Sequence, residues 1–316
     1  MTSPCLCAAL VGFGLSLAGI VSAAETVSRV TRDVAFLAPD RKEKLDLYLP
    51  AEPAVGNLSP ALVWIHGGGW LRGTKTEARA KNICSTLAEA GYVAVSIDYR
   101  LGKEAWPTNL YDCKNAVRFL RANAAKYRID PDRIAVAGGS AGGHLALMVA
   151  LTAGEQDLEP AGAQTPYPGI PNDVRCVVNF YGITDLLTHG QTDSEGNPTA
   201  TRKLMGKTLK CFGAASDDAD VLRVASPVTH VKQSSPPMLT FHGRADTTVD
   251  FPQAEELDRV ARERGAAHEM LLLDGVGHTF DLQTWSKQPL PQDLRPVFLA
   301  FLAKNLQQAS PYRGRH

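Results

Sequence analysis

Apolar positions alternate with polar ones early in the chain and then cluster. Thr26 to Leu37 is rich in β-branched residues, and between Lys44 and Leu49 the residues Leu45, Leu47 and Leu49 alternate with Asp46 and Tyr48. A period of two is that of a strand with one buried face. From Ala61 onward the strand signals become short apolar runs, at Ala61 to Ile65, Tyr92 to Ile97, Arg133 to Ala137, Val174 to Phe180, Met238 to His242 and Glu269 to Leu273. Helical patterns lie between and after them: Glu77 to Ala90, Asp112 to Lys126, His144 to Thr152, Gln253 to Arg264 and Leu294 to Leu306. In the second of these, Ala116, Val117, Leu120 and Ala124 share one face.

Strands without polar alternation, each followed by a helix, predict an α/β fold with a mainly parallel sheet covered on both faces. No internal repeat or linker divides it, so one domain is expected. Two polar stretches exceed simple connections, residues 153–173, with Pro160, Pro166, Pro168 and Pro171, and residues 184–225, with a weak helical signal over Thr201 to Leu209. They read as small insertions near the functional edge, the second a candidate cover.

The first residues do not fit this rhythm. Leu6 to Val21 is apolar or small throughout, no charge precedes Glu25, and Val21-Ser22-Ala23 ends the run in small residues. This is the pattern of a signal peptide over residues 1–23, although its start lacks Lys or Arg; an uncleaved anchor is the alternative. The expectation is a secreted or periplasmic protein whose single domain is residues 24–316. Cys5 and Cys7 would leave with the leader, whereas Cys84, Cys113, Cys176 and Cys211 would stay. Four cysteines allow three complete pairings. Four separate buried thiols are the common case for cysteine; if a bridge exists at all, the helix–strand pair Cys113 and Cys176 is the one favoured. Their spacing matches no zinc pattern. Lys plus Arg and Asp plus Glu are 33 each, a net charge of zero. There is no long-range field to recruit nucleic acid or an anionic membrane.

The chemistry gathers after the predicted strands. Gly138-Gly139-Ser140-Ala141-Gly142 joins a strand to a helix, and glycines around a serine permit a turn too tight for side chains. No P-loop or dinucleotide fingerprint overlaps it. A serine hydroxyl needs a base, and the base an orienting carboxylate. With the order serine, acid, histidine, the base comes late: His278 lies in a glycine-bearing loop after a strand, whereas His268 opens a strand and His316 ends the chain. The acid is expected to be Asp246, in the loop after Met238 to His242. Asp250 reads as a cap of the next helix and Asp274 as a competitor just before the histidine loop. His66-Gly67-Gly68-Gly69-Trp70 follows another strand, and the amides of Gly68, Gly69 and Ala141 are candidate oxyanion donors. His66 and His144 read as scaffold. Trp70, Trp106 and Tyr181 are candidate substrate contacts, equally readable as core or wall.

Taken together, His66-Gly-Gly-Gly-Trp70, Gly-Gly-Ser140-Ala-Gly-Gly-His144, Tyr181-Gly-Ile-Thr-Asp185, His242-Gly-Arg-Ala-Asp246 and Gly277-His278 resemble the α/β-hydrolase superfamily. More narrowly, the chain resembles HGGG-type carboxylesterases, especially secreted bacterial esterases related to acetyl xylan and feruloyl esterases. The resemblance runs from about Lys44 to the last helix. It implies that an ester acylates Ser140 and that water releases the acyl group, with Asp246, His278, Gly68, Gly69 and Ala141 in their motif roles and no metal or organic cofactor. The expected partner is a small-molecule or oligosaccharide ester of acetyl or feruloyl type. The polar insertions match no one subfamily, which leaves the substrate open. Two other readings stand beside it: a serine peptidase or amidase on the same fold, and a hydrolase fold kept only for binding.

Overall fold

The computed structural model describes residues 29–51, 58–160, 162–163, 165–187, 197, 199–215, 218–283 and 290–307. Residues 1–23, read as a leader, and His316 lie outside them.

Eight strands form one sheet: β1 (Arg29–Val34), β2 (Leu45–Leu49), β3 (Ser59–Ile65), β4 (Val93–Ile97), β5 (Ile129–Gly139), β6 (Cys176–Phe180), β7 (Met238–Gly243) and β8 (His268–Leu273). Their spatial order is β1-β2-β4-β3-β5-β6-β7-β8. β1 and β2, and β2 and β4, run antiparallel; every other neighbouring pair is parallel. The helices are α1 (Ala78–Glu89), α2 (Thr108–Ala122), α3 (Ala124–Tyr127), α4 (Ala141–Leu151), α5 (Ala200–Thr208), α6 (Ala219–Val224), α7 (Pro227–His230), α8 (Pro252–Arg264) and α9 (Arg295–Gln307).

Period-two geometry sorts β3 into two layers. Ala61, Val63 and Ile65 face a core shared with Val117 of α2, Leu145 of α4 and Leu257 of α8. Leu62 and Trp64 face the other, shared with Ile83 of α1 and Phe298 of α9. Each large side chain so buried contributes ~1.5–3 kcal/mol, so both faces are needed to hold the sheet. α4 is buried on every side, and its last turn leaves carbonyls without helical partners. Lys114 of α2, itself buried, donates to the carbonyls of Thr152 (2.9 Å) and Glu155 (3.3 Å) there. Burial depresses its pKa to about 8, the nearby Glu159 carboxylate opposing that fall.

The same layering rules out the Cys113–Cys176 pairing and leaves the other reading, four separate buried thiols. Cys113 and Cys211 lie in the core of α2 and α4, Cys84 and Cys176 in that of α1 and α9, and all four are free, buried thiols. The sheet stands between Cys113 and Cys176.

The parallel register aligns Ile65 with Gly138, Gly139 with Phe180 and Gly243 with Leu273. The loops after β3, β5, β6, β7 and β8 therefore open on one edge. The 184–225 stretch is tied to the body at several points rather than standing apart. Thr184 donates through Oγ1 to the Gln253 carbonyl (2.6 Å), and the amides of Glu104 and Trp106 donate to the carbonyls of Lys210 (3.0 Å) and Cys211 (2.9 Å). Phe212 and Leu222 enter the core.

Candidate active site

The turn from β5 into α4 reverses the chain at Ser140, whose φ of 57° and ψ of −123° are unusual for a residue with a side chain. Its amide donates to the Phe180 carbonyl (2.9 Å), and its carbonyl accepts from the His144 amide (3.0 Å), so the strained residue is held from both neighbouring elements. The turn demands glycine where the backbones touch. A Cβ on Gly142 would lie 2.1 Å from the Ile65 carbonyl oxygen, and one on Gly138 2.2 Å from that of Gly142.

His278, on the loop after β8, brings Nε2 within 3.0 Å of Ser140 Oγ. Its Nδ1 lies 2.7 Å from Asp246 Oδ2 on the loop after β7. A carboxylate only accepts, so Nδ1 carries the hydrogen and Nε2 offers its lone pair to the serine hydroxyl. The other carboxylate oxygen of Asp246 accepts from the amides of Thr248 (2.8 Å) and Val249 (2.9 Å). Burial works to raise the Asp246 pKa, but hydrogen bonds from His242 and His278, the charge of His278 and the Val249 amide outweigh it. They hold the carboxyl well below the usual carboxylate range. The arrangement can move a proton from the serine to an imidazole whose positive charge a fixed anion then balances.

The glycine loop after β3 rides directly against this turn. A Cβ on Gly67 would lie 2.8 Å from the Gly139 carbonyl oxygen and 3.1 Å from Ser140 Cβ. Gly68 (φ 112°) and Gly69 (φ 61°) take left-handed conformations. Ala141 opens α4, so its amide belongs to the first turn, where no intrahelical acceptor exists.

The remaining sequence candidates separate cleanly. Asp274 pairs with Arg244 (3.0 Å) in solvent. Asp250 does not cap α8; its Oδ1 accepts from the amide of Ala200 at the start of α5 (3.2 Å), and the α8 cap position is Phe251. His268 bridges Asp258 (3.1 Å) and Thr240 (2.9 Å). His66 and His144 are buried, on the carbonyls of Gly67 and Ala225 (2.7 Å each). Trp70 and Tyr181 are fully buried and stand behind the site rather than on its surface. The Tyr181 ring packs edge-on against His278, centroids 4.8 Å apart, and its hydroxyl donates to the Phe280 carbonyl (3.0 Å). Trp106 alone of the three is half-exposed, against Phe212 (5.5 Å). Sequence reasoning passed over His242, whose Nε2 lies 3.3 Å from Asp246 Oδ2; its place four residues before the acid, across a tight turn, was the available signal. Among the described residues no group of His, Cys, Asp or Glu could hold a metal, and no helix is long and apolar enough to cross a membrane.

An eight-stranded sheet in this order, with the serine at the β5–α4 turn and the histidine after β8, defines an α/β-hydrolase. Residues 45–260 match the BD-FAE family, and the chain belongs to it. It is 30% identical over 257 residues to esterase LipQ of Mycobacterium tuberculosis, covering 80% of this chain and 58% of that protein. To esterase LipC of the same organism it is 33% identical over 263 residues, covering 80% of this chain and 60% of LipC. The chain thus spans a little over half the length of these curated relatives. Among solved structures, a truncated carbohydrate esterase from gut microbiota superposes with a TM-score of 0.74 at 27% identity, covering 90% of this chain and 99% of that one. The butyrate-bound esterase 2 of Thermogutta terrifontis gives a TM-score of 0.66 at 26% identity, covering 90% of this chain and 98% of that one.

Proposed function

We propose that this protein is a serine carboxylic ester hydrolase that acts through Ser140, His278 and Asp246. The observation that carries the reading is the continuous path Ser140 Oγ–His278 Nε2–His278 Nδ1–Asp246 Oδ2, with steps of 3.0 and 2.7 Å outside the ring. His278 takes the serine proton as Oγ attacks the ester carbonyl, and the amides of Gly68, Gly69 and Ala141 receive the oxyanion. His278 then returns the proton to the leaving alcohol. Water, activated by the same imidazole, releases the acid. The substrates are short-acyl or carbohydrate-linked esters of acetyl or feruloyl type. That class is supported by the carbohydrate esterase and the butyrate-binding esterase among the structural relatives, and by the polar composition of residues 184–225. Export is proposed from the apolar run Leu6 to Val21 and the small residues ending at Ala23.

The deciding experiment compares p-nitrophenyl acetate with the matching anilide in wild type and Ser140→Ala. Ester turnover well above amide turnover, and lost in the variant, is expected. Dominant amide turnover, or ester turnover surviving in Ser140→Ala, overturns the proposal. A panel from acetyl to decanoyl esters, with methyl ferulate and acetylated xylan, then ranks the substrates.

A further inference from the structure

His278 lies on an irregular loop, in contrast to Ser140 at the mouth of a buried helix, so something outside the loop must hold it. Its next residue, Thr279, is β-branched yet has a φ of 67°, a conformation that persists only where surroundings impose it. Two elements distant in sequence grip this stretch. Tyr181, after β6, donates its hydroxyl to the Phe280 carbonyl (3.0 Å). α1 presents two side chains one turn apart: Arg79 Nη1 donates to the Thr279 carbonyl (3.4 Å), and Asn82 Nδ2 donates to Asp281 Oδ2 (2.9 Å). The other oxygen of Asp281 accepts from the Leu282 amide (2.6 Å), so this carboxylate joins the loop's backbone to the helix. Asp281 is 1% exposed, between Phe280 and Leu282, which are themselves in the core. A buried carboxyl spent on a carboxamide 199 residues away is expensive unless its geometry is needed.

We infer that Asn82 and Asp281 form a positioning pair that fixes the His278 loop at the distance from which the imidazole can take the Ser140 proton. The inference rests on the proposed serine mechanism. It assigns α1, which lies between the glycine loop and β4 in the chain, the task of holding the base. Neither residue touches the reacting atoms. Their effect is on proton transfer, and the separation involved is small: a misplacement of about 1 Å can cost about 100-fold in rate.

The test exchanges the pair. Asn82→Asp alone sets two carboxyls against each other. It is expected to lower kcat on p-nitrophenyl acetate at least about tenfold with KM within about twofold, and to slow inactivation by paraoxon by the same factor. Asp281→Asn keeps Oδ1 for the Leu282 amide and turns an NH2 toward Asn82, whose carboxamide can flip to accept from it, so this variant should stay within about threefold of wild type. The double variant Asn82→Asp/Asp281→Asn restores a carboxylate–carboxamide bond in reverse and should recover kcat and the paraoxon rate. A folded double variant no faster than Asn82→Asp overturns the pairing, as does a folded Asp281→Asn protein that has lost activity. If Asn82→Asp does not fold, the other two proteins still decide it. Because each result is a ratio to wild type, it is separate from the failure of the serine mechanism itself, which would show as wild-type turnover that Ser140→Ala leaves intact.

Discussion

His242 Nε2 stands 3.3 Å from Asp246 Oδ2, the same oxygen that faces His278 Nδ1 at 2.7 Å. The His242 N–H also points to the Val249 carbonyl (3.0 Å), so one donor is shared between a carbonyl and the carboxylate. With the two loop amides on Oδ1, the carboxylate is surrounded by donors, and its negative charge is maintained although it is buried. Asp246→Asn would present N–H where His278 needs an acceptor and turn the imidazole to the wrong tautomer. Its kcat on p-nitrophenyl acetate should fall on the order of 10⁴-fold with little change in KM. Activity within tenfold of wild type would show that another group orients the base. His242→Leu, which removes one donor of several, should cost less than Asp246→Asn in the same assay.

The glycines of the two loops make a sharper structural prediction. A Cβ on Gly67 would lie 2.8 Å from the Gly139 carbonyl oxygen and 3.1 Å from Ser140 Cβ, so the glycine loop must move away from the serine turn. Gly67→Ala should therefore lower the thermal midpoint, though less than Gly142→Ala does. It should lose on the order of 100-fold in kcat, because the amides of the glycine loop are displaced relative to Ser140. On Gly142, the 2.1 Å approach to the Ile65 carbonyl is to the backbone of a central strand, which cannot yield. Gly142→Ala should lower the thermal midpoint and the soluble yield. Calorimetry and steady-state kinetics on the two proteins distinguish a displaced donor from a disrupted turn.

The contrast between exposed and interior residues also explains what could be read from the sequence. The parallel strands and the positions of Ser140, Asp246 and His278 were legible because they rest on local rules: apolar runs, glycines at a reversing turn, and chain order. The start of α2 was not. Its amphipathic face suggested Asp112, but the helix begins at Thr108 and is buried from Asn109 to Arg118 and beyond, so the polar–apolar contrast that marks a helix is blurred. It also ends at Ala122 rather than Lys126, with Asn123 separating it from α3. The short helices α6 and α7 lack a repeat long enough to give a period. Burial of Trp70 and Tyr181 was equally out of reach, since whether an aromatic near a motif faces the pocket or the core depends on the elements packed behind it.

That difference is testable in the three aromatics. Trp70 and Tyr181 are fully buried, whereas Trp106 has solvent on one side. Trp70→Ala should destabilise the fold by about 3–5 kcal/mol through the cavity it leaves. Trp106→Ala, which removes a ring packed on Phe212 but partly open to solvent, should cost less stability than Trp70→Ala and alter KM or the preference among acetyl, butyryl and octanoyl esters. Equal loss of stability in both would mean that Trp106 is wall rather than substrate contact.

His144 gives the pH dependence of stability a definite sign. Burial drives its pKa down to about 4, with the Ala225 carbonyl acting in the opposite direction. In the unfolded chain the same imidazole takes up a proton near its usual value of ~6.5. Its contribution is therefore fully present above about pH 6.5 and is lost as the pH falls toward 4, amounting to about 3 kcal/mol. His144→Gln can keep a donor for the Ala225 carbonyl but cannot titrate. Denaturant unfolding at intervals between pH 7 and 4 should show a steeper loss of stability for wild type than for the variant. Parallel curves would mean that His144 accepts its proton in the folded state.

The four interior cysteines extend the argument to redox conditions. Burial pushes all four thiols up, that of Cys176 to about 12, and the thiolate is the form that reacts. In native protein a thiol-disulfide reagent should therefore label them only as fast as the structure opens. Dithiothreitol should leave the thermal midpoint unchanged; a Cys113–Cys176 bridge would instead cost about 2–4 kcal/mol on reduction. Counting thiols after denaturation reports on export as well, because Cys5 and Cys7 lie within the proposed leader. Protein recovered from the secreted or periplasmic fraction should titrate four thiols without prior reduction. A count of six means that the leader is retained, and a count of two in the processed chain means that one pair of these thiols has been oxidised to a bridge.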